Sequence, residues 1–173
     1  MKAVLIVVDL QERLIKHIPD REAIIRNSVK LVKACKLLGI PIILTKQIKL
    51  GDIVEEIREI AEGKPIVKSS FSCVKCDDFL RRLEEAKPER CILVGIEAHI
   101  CILQTAIDLM NLGYKVYAAL DCIGSRRAYD KEVAILRMLQ ESVIPATSEA
   151  IIYELVETAE HEKFKEVLEI VKS

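Results

Sequence analysis

The 173-residue sequence has no tryptophan and only three phenylalanines and four tyrosines. So few rings leave little for the base stacking on which single-stranded nucleic acid binding relies. An excess of one charge is also missing, because 26 basic residues face 27 acidic ones for a net charge of −1. Without a general positive field the electrostatic footprint of a nucleic-acid-binding protein is not expected. We therefore expect no nucleic-acid partner.

Glycine-rich cofactor loops and metal-ligand clusters are also missing. The six glycines are too widely spaced for G-x-G-x-x-G, and no phosphate-binding P-loop motif occurs. Only three histidines exist, and the single pair Cys73-x-x-Cys76 has no second pair at zinc-site spacing. We expect no cofactor and no metal ion.

No apolar run approaches the 18 residues typical of a membrane span, so no membrane partner is expected. The apolar start of the chain is interrupted by Asp9, too early for a signal-peptide core. We therefore expect a cytoplasmic protein whose six cysteines are mostly reduced thiols.

What the sequence does contain is a regular alternation of apolar strands and amphipathic helices. Six short apolar segments predict strands at 3–8, 41–45, 65–67, 91–94, 115–120 and 143–146. Helical patterns lie between and after them, at 21–38, 52–61, 76–86, 100–112, 128–140, 149–156 and 160–171. This alternation predicts a single domain over 1–173, a three-layer α/β/α sandwich with a six-stranded parallel sheet.

Ligands of such sheets bind at the carboxyl ends of the strands, so the residues just after each strand are candidates. Cys101 follows the fourth strand at the start of a helix, where N–H groups lower a thiol pKa and can hold an oxyanion. Asp9 follows the first strand and is either a general base or a turn residue. Lys68 follows the third strand and either faces the cleft or is a solvated loop charge. Cys101 itself is either a nucleophile or a small buried residue.

Three separated motifs, each at a strand end, resemble the isochorismatase-like cysteine hydrolases. They are Asp9-x-Gln11, Lys68 followed by Phe71, and Gly-Ile-Glu-Ala-His-Ile-Cys over 95–101. Within the family the sequence is most similar to the isochorismatase domain-containing subgroup. The resemblance implies a Rossmann-like strand order 3-2-1-4-5-6 and a catalytic triad of Asp9, Lys68 and Cys101.

The resemblance also implies finer features of the site. It places a cis peptide bond at Glu97–Ala98 and an oxyanion hole at the N–H groups of Ala98 and Cys101. The residues expected to contact substrate are Gln11, Gln47, Phe71, Glu97, His99 and Ile100, although His99 could equally be a packing residue. Asp121 and Arg126 are expected to brace loops.

One departure from the wider superfamily concerns metal. Nicotinamidases carry Asp-x-His after the second strand, whereas this sequence has Thr-Lys-Gln-Ile-Lys over 45–49. A metal-dependent nicotinamidase is therefore not expected.

The polar residues at the strand ends and the family resemblance together predict a cysteine hydrolase. It would cleave a small-molecule amide or related C–N bond through a Cys101 thioester. One alternative is isochorismatase-type hydrolysis of a vinyl ether. Another is a non-enzymatic member of the fold that responds to redox state through Cys73 and Cys76. A homo-oligomer, a dimer or larger, is expected. The substrate, the number of subunits and the state of the Cys73–Cys76 pair are left open.

Overall fold

The computed structural model describes residues 2–173 and contains one six-stranded sheet. The strands are β1 (Ala3–Val8), β2 (Ile42–Gln47), β3 (Ile66–Lys68), β4 (Arg90–Ile96), β5 (Lys115–Gly124) and β6 (Ile144–Ala146). All neighbours are parallel, in the order β3-β2-β1-β4-β5-β6. The predicted fold class and strand order are confirmed.

Helices cover both faces of this sheet. They are α1 (Glu12–Ile15), α2 (Arg21–Leu37), α3 (Glu55–Arg58), α4 (Asp77–Ala86), α5 (Leu103–Asn111), α6 (Ala128–Gln140), α7 (Ser148–Val156) and α8 (Phe164–Lys172). A 3-10 turn covers Cys73–Lys75 and a π-helical segment covers Ala98–Ile102. None of the helices in residues 2–173 is both long and apolar enough to cross a membrane.

The central strand β1 explains why the predicted strands are apolar throughout. Every residue of β1 is buried, because alternate side chains enter two different cores. Leu5 and Val7 pack on the side of α2 and α7, whereas Ile6 and Val8 pack on the side of α4 and α5. A strand covered on both faces has no solvent side and so shows no polar alternation.

Several element boundaries differ from the predictions. The helix predicted over 52–61 is only the four-residue α3, because Ile53 forms a bridge with Gln11 and Val54 N donates to Leu10 O. The predicted helix over 160–171 begins only at Phe164. Strand β5 continues past residue 120 to Gly124, because Ile123 and Gly124 pair with the end of β4 beyond a bulge.

Strand order reverses between β1 and β4, and Gly95 lets these strands meet closely. Gly95 has φ +124°, and a Cβ built there would lie 1.9 Å from the carbonyl oxygen of Val8. Only glycine fits both the backbone conformation and the space. The carboxyl ends of β1 and β4 are thereby held side by side.

We predict that Gly95→Ala lowers the free energy of unfolding by about 3 kcal/mol or more, because it adds a backbone clash to an unfavourable φ. Gly113→Ala is the matched control, since Gly113 also has positive φ (+91°) but no heavy atom within 4 Å of its built Cβ. It should lose only about 1–2 kcal/mol. Urea unfolding measures both, and equal losses would contradict the close-approach interpretation.

Candidate active site

Asp9 is a buried carboxylate at the carboxyl end of β1. Its φ of +49° turns the chain away from the strand, and only 1% of the residue is exposed. Its backbone N–H donates to Thr45 O at 3.2 Å, and the Thr45 hydroxyl donates to Asp9 Oδ1 at 2.9 Å. Thr45 therefore contacts Asp9 through both its main chain and its side chain.

Lys68 ends the edge strand β3 and pairs with Asp9. The Lys68 side chain is fully buried, and Nζ lies 2.9 Å from Asp9 Oδ2. Gln47 Oε1 at 2.7 Å and the carbonyl oxygens of Ser70 and Phe71 at 3.0 and 2.9 Å also lie within hydrogen-bond distance of Nζ, so its three N–H donors are shared among four oxygen acceptors. Burial is the largest single influence on the pKa of Lys68 and lowers it, but the charge of Asp9, its hydrogen bond to Lys68 and the neighbouring Cys73 and Cys101 together raise the pKa. Lys68 therefore stays an ammonium.

Cys101 completes the cluster from the π-helical segment Ala98–Ile102. The residue is 7% exposed, and Sγ lies 3.7 Å from Lys68 Nζ. Burial raises the pKa of the Cys101 thiol, as do the charge of Asp9 and a hydrogen bond to it, while Lys68 acts in the opposite direction. The expectation of a lowered thiol pKa is therefore wrong, because burial and Asp9 outweigh the favourable charges. The resting group is a thiol beside a carboxylate.

The structure has a cis peptide bond at Ile96–Glu97, so the expectation of one at Glu97–Ala98 is wrong. The physical reason is where the helical segment starts. Glu97 O already accepts hydrogen bonds from the N–H groups of Ile100 and Ile102, so the peptide after Glu97 belongs to the helical turn.

Two of the residues expected to contact substrate have side chains that hydrogen-bond other parts of the protein. The Gln11 amide donates to the carbonyls of Gln47 and Gly51 and accepts from Gln47 N, each near 2.9 Å, and Gln11 is fully buried. Glu97 Oε1 accepts from Arg126 N at 2.9 Å and from Arg126 Nε at 3.0 Å. These side chains hold the loops around the cluster, which the motif pattern alone does not reveal.

The other four expected contact residues lie around the cluster. Gln47 bonds Lys68 through Oε1 and Ser69 O through Nε2, the latter at 2.7 Å. Phe71 keeps its ring 54% exposed while its carbonyl accepts from Lys68. His99 Nδ1 lies 2.8 Å from Ser125 Oγ, and Ile100 is partly buried. The positions of these residues in the sequence placed them near the cluster. They did not show which of the polar side-chain atoms already form hydrogen bonds within the protein.

Asp121 and Arg126 brace loops, as expected. Asp121 accepts from the backbone N and the hydroxyl of Ser148 at the start of α7, at 2.7 and 2.6 Å. Arg126 is held by Glu97. All six cysteines are free thiols, including Cys73 and Cys76.

Residues 2–173 contain no grouping of three or more His, Cys, Asp or Glu side chains able to hold a metal ion.

Two further buried side chains lie beside the cluster of Asp9, Lys68 and Cys101. Cys73 is fully buried, and its Sγ lies 3.8 Å from Thr45 Oγ1. No role was predicted for Thr45 from the sequence, although its hydroxyl contacts Asp9 and lies near Cys73. The signal was present, because Thr45 is the first polar side chain after the apolar start of β2.

A parallel sheet with a carboxylate, an ammonium and a thiol buried at the ends of β1, β3 and β4 defines an α/β protein with a buried polar cluster at its switch point. The family model of the isochorismatase domain matches residues 3–150. The chain belongs to the isochorismatase family and has its hydrolase fold.

Individual relatives agree with this assignment. Isochorismatase domain-containing protein 2A of Mus musculus is 36% identical, over 98% of this chain and 82% of the relative. The solved structure of a protein named MAR1 ribonuclease from Caenorhabditis elegans is 38% identical with a TM-score of 0.90, covering 99% of this chain and 90% of that one. The YcaC gene product of Escherichia coli, described as an octameric hydrolase of unknown specificity, is 19% identical with a TM-score of 0.87, over 98% and 93%. At that identity the likeness concerns the fold alone.

We predict that Lys68→Met lowers the free energy of unfolding by about 3–5 kcal/mol, because it leaves the Asp9 carboxylate buried without its cation. Adding Asp9→Asn to this variant should recover part of the loss, since the remaining buried group is then neutral. Urea unfolding at pH 7 measures both.

Lys46→Met is the control, because Lys46 pairs with the exposed Asp52 at the protein surface. Surface pairs contribute little to stability, so we expect almost no change. A loss at Lys68 as small as that at Lys46 would contradict a buried ion pair.

Proposed function

We propose that this protein is a cysteine hydrolase that cleaves a small-molecule amide or related C–N bond through a thioester on Cys101. The observation that carries the proposal is the contact of the Cys101 thiol with both Asp9 and Lys68 in one buried cluster. A nucleophile, a proton acceptor and a fixed cation within bonding distance are the parts that acyl transfer requires.

The first step joins attack to proton transfer. Because burial and Asp9 raise the pKa of Cys101, the resting nucleophile is a neutral thiol that needs a base. Its hydrogen bond to Asp9 supplies the route. As Sγ attacks the carbonyl carbon, the thiol proton moves to Asp9 and a tetrahedral intermediate forms.

Lys68 keeps its charge and place during this step. Its Nζ is surrounded by Asp9, Gln47 and two loop carbonyls, so the ammonium is fixed toward Sγ. The positive charge stabilises negative charge as it develops on sulfur and compensates for the desolvation of Asp9.

The oxyanion of the intermediate binds the backbone N–H groups of Ala98 and Cys101 in this proposal. N–H groups in the first turn of a helical segment lack a carbonyl partner one turn earlier, which suits them to that role. Asp9 then returns its proton to the leaving amine as the C–N bond breaks. Water attacks the thioester, releases the acid and restores the Cys101 thiol.

Four of the expected contact residues surround the cluster. Gln47, Phe71, His99 and Ile100 border the cluster and are the side chains we assign to substrate contact. Phe71 brings the ring nearest in sequence to Lys68, so stacking on a flat substrate is limited to few contacts. We assign Gln11 and Glu97 to holding the loops of the site.

The test compares three substrate classes with the wild type and Cys101→Ala. We expect hydrolysis of members of a small-amide panel, and a loss of at least about 10³-fold in the variant, because the covalent step has no other nucleophile. Trapping the thioester at Cys101 by acid quench and mass spectrometry identifies the intermediate.

Cys76→Ala is the control, since Cys76 is a partly exposed thiol outside the ion pair. Turnover by Cys101→Ala at the wild-type rate would overturn the proposal. Isochorismate and RNA are assayed alongside, RNA because the similar Caenorhabditis elegans protein is named a ribonuclease. Cleavage of either without a Cys101 adduct would replace the amide assignment.

We also propose that the chain forms a homo-oligomer. Along α6 the apolar side chains of Tyr129, Val133 and Leu136 are 75%, 39% and 61% exposed and share one face. The related Escherichia coli protein is described as an octamer. Sedimentation velocity should show a mass at least twice 19.5 kDa, reduced by Leu136→Lys; a monomer in the unaltered protein would contradict this.

A further inference from the structure

The Thr45 hydroxyl is buried in the reactive cluster, and the mechanism above does not use it. Thr45 is fully buried at the carboxyl end of β2, opposite Val8 in the parallel pairing with β1. Its hydroxyl lies 2.9 Å from Asp9 Oδ1, and its carbonyl accepts from Asp9 N. Thr45 therefore hydrogen-bonds both the main chain and the side chain of Asp9, the proposed base.

The direction of these hydrogen bonds follows from chemistry. An ionised carboxylate can only accept, so the Thr45 hydroxyl donates to Asp9. The lone pairs of Thr45 Oγ1 are then available to a second donor, and the Cys73 thiol lies 3.8 Å away. Burial raises the pKa of Cys73 to about 11, so Cys73 keeps its proton at neutral pH and can donate. The result is a chain from Cys73 to Thr45 to Asp9.

The two oxygens of Asp9 consequently have different fixed partners. Oδ2 faces the Lys68 ammonium and Oδ1 faces the Thr45 hydroxyl. Both contacts prevent rotation of the carboxylate.

We propose that Thr45 is a positioning residue that orients Asp9 and makes it release the proton it has taken from Cys101. This deepens the hydrolase mechanism and rests on the proposed function. When Asp9 is protonated, the hydrogen bond from Thr45 stabilises it less, so Asp9 gives the proton to the leaving nitrogen more readily. The proton thus passes from Cys101 Sγ to Asp9 to the amine, and Thr45 keeps its own.

The test uses the pH dependence of Cys101 alkylation by iodoacetamide, located by peptide mass spectrometry, because this needs no substrate. Alkylation should fall at acid pH, where the base can no longer accept the thiol proton; this falling part of the profile is the acid limb. In Thr45→Val, which has nearly the same shape without a hydroxyl, the midpoint of this acid limb should rise by about one pH unit. Thr45→Ser keeps the hydroxyl and should restore the wild-type midpoint.

Thr105→Val is the matched control, because Thr105 is also a fully buried threonine and its hydroxyl accepts from Cys73 N. Thr105→Val removes a buried hydroxyl from the same region without changing the hydrogen bond between Thr45 and Asp9. The midpoint of its acid limb should therefore stay at the wild-type value. Urea unfolding of each variant identifies any that fails to fold.

The outcomes separate the two proposals. A Thr45→Val limb at the wild-type position, or a Thr105→Val limb that moves equally, overturns the role of Thr45 and leaves the hydrolase proposal intact. A limb that Asp9→Asn does not abolish shows that Asp9 is not the base, and then the proposed mechanism itself fails. A shift in Thr45→Val reversed in Thr45→Ser supports the positioning role.

Discussion

The ion pair between Lys68 and Asp9 is the interaction on which the rest of the site depends. Two opposite charges lie 2.9 Å apart with side chains 0% and 1% exposed. Removing such groups from water is costly, and their attraction compensates only if hydrogen bonds satisfy the remaining donors and acceptors. Gln47 and the carbonyls of Ser70 and Phe71 do this for Lys68, so the loop after β3 must curve around the ammonium.

The strand order brings the Cys101 thiol to the ion pair of Lys68 and Asp9. Because β1 and β4 are neighbours at the switch point, the residues that follow them meet at one edge of the sheet. Gly95 allows the close approach, and the π-helical segment then carries Cys101 back toward Asp9. The contact between Cys101 and Asp9 therefore has two separate requirements. The ion pair is an electrostatic requirement, and Gly95 is a steric one.

The alternation of apolar runs and helical patterns predicted the α/β sandwich, because it depends on local patterns. The strand order, and the choice of Asp9, Lys68 and Cys101 among the polar residues at strand ends, came from the family resemblance. The sequence did not predict what depends on register and packing. Gln11 and Glu97 have the same polar character as residues that contact a ligand, and only the folded loops show that their side chains bind backbone and Arg126. The length of β5 likewise follows from its pairing beyond a bulge.

The direction of the Cys101 pKa shift is the clearest example of a property that depends on packing and could not be predicted from the sequence. A helix start favours a thiolate, and Lys68 favours it too, yet burial and Asp9 raise the pKa. A permanently ionised thiol beside Asp9 would put two negative charges near one ammonium. A neutral thiol avoids that repulsion and keeps its proton where Asp9 can accept it. The cluster therefore holds one net-neutral ion pair and one thiol proton beside Asp9. In the mechanism proposed above, the contacts to Asp9 govern how that proton is exchanged.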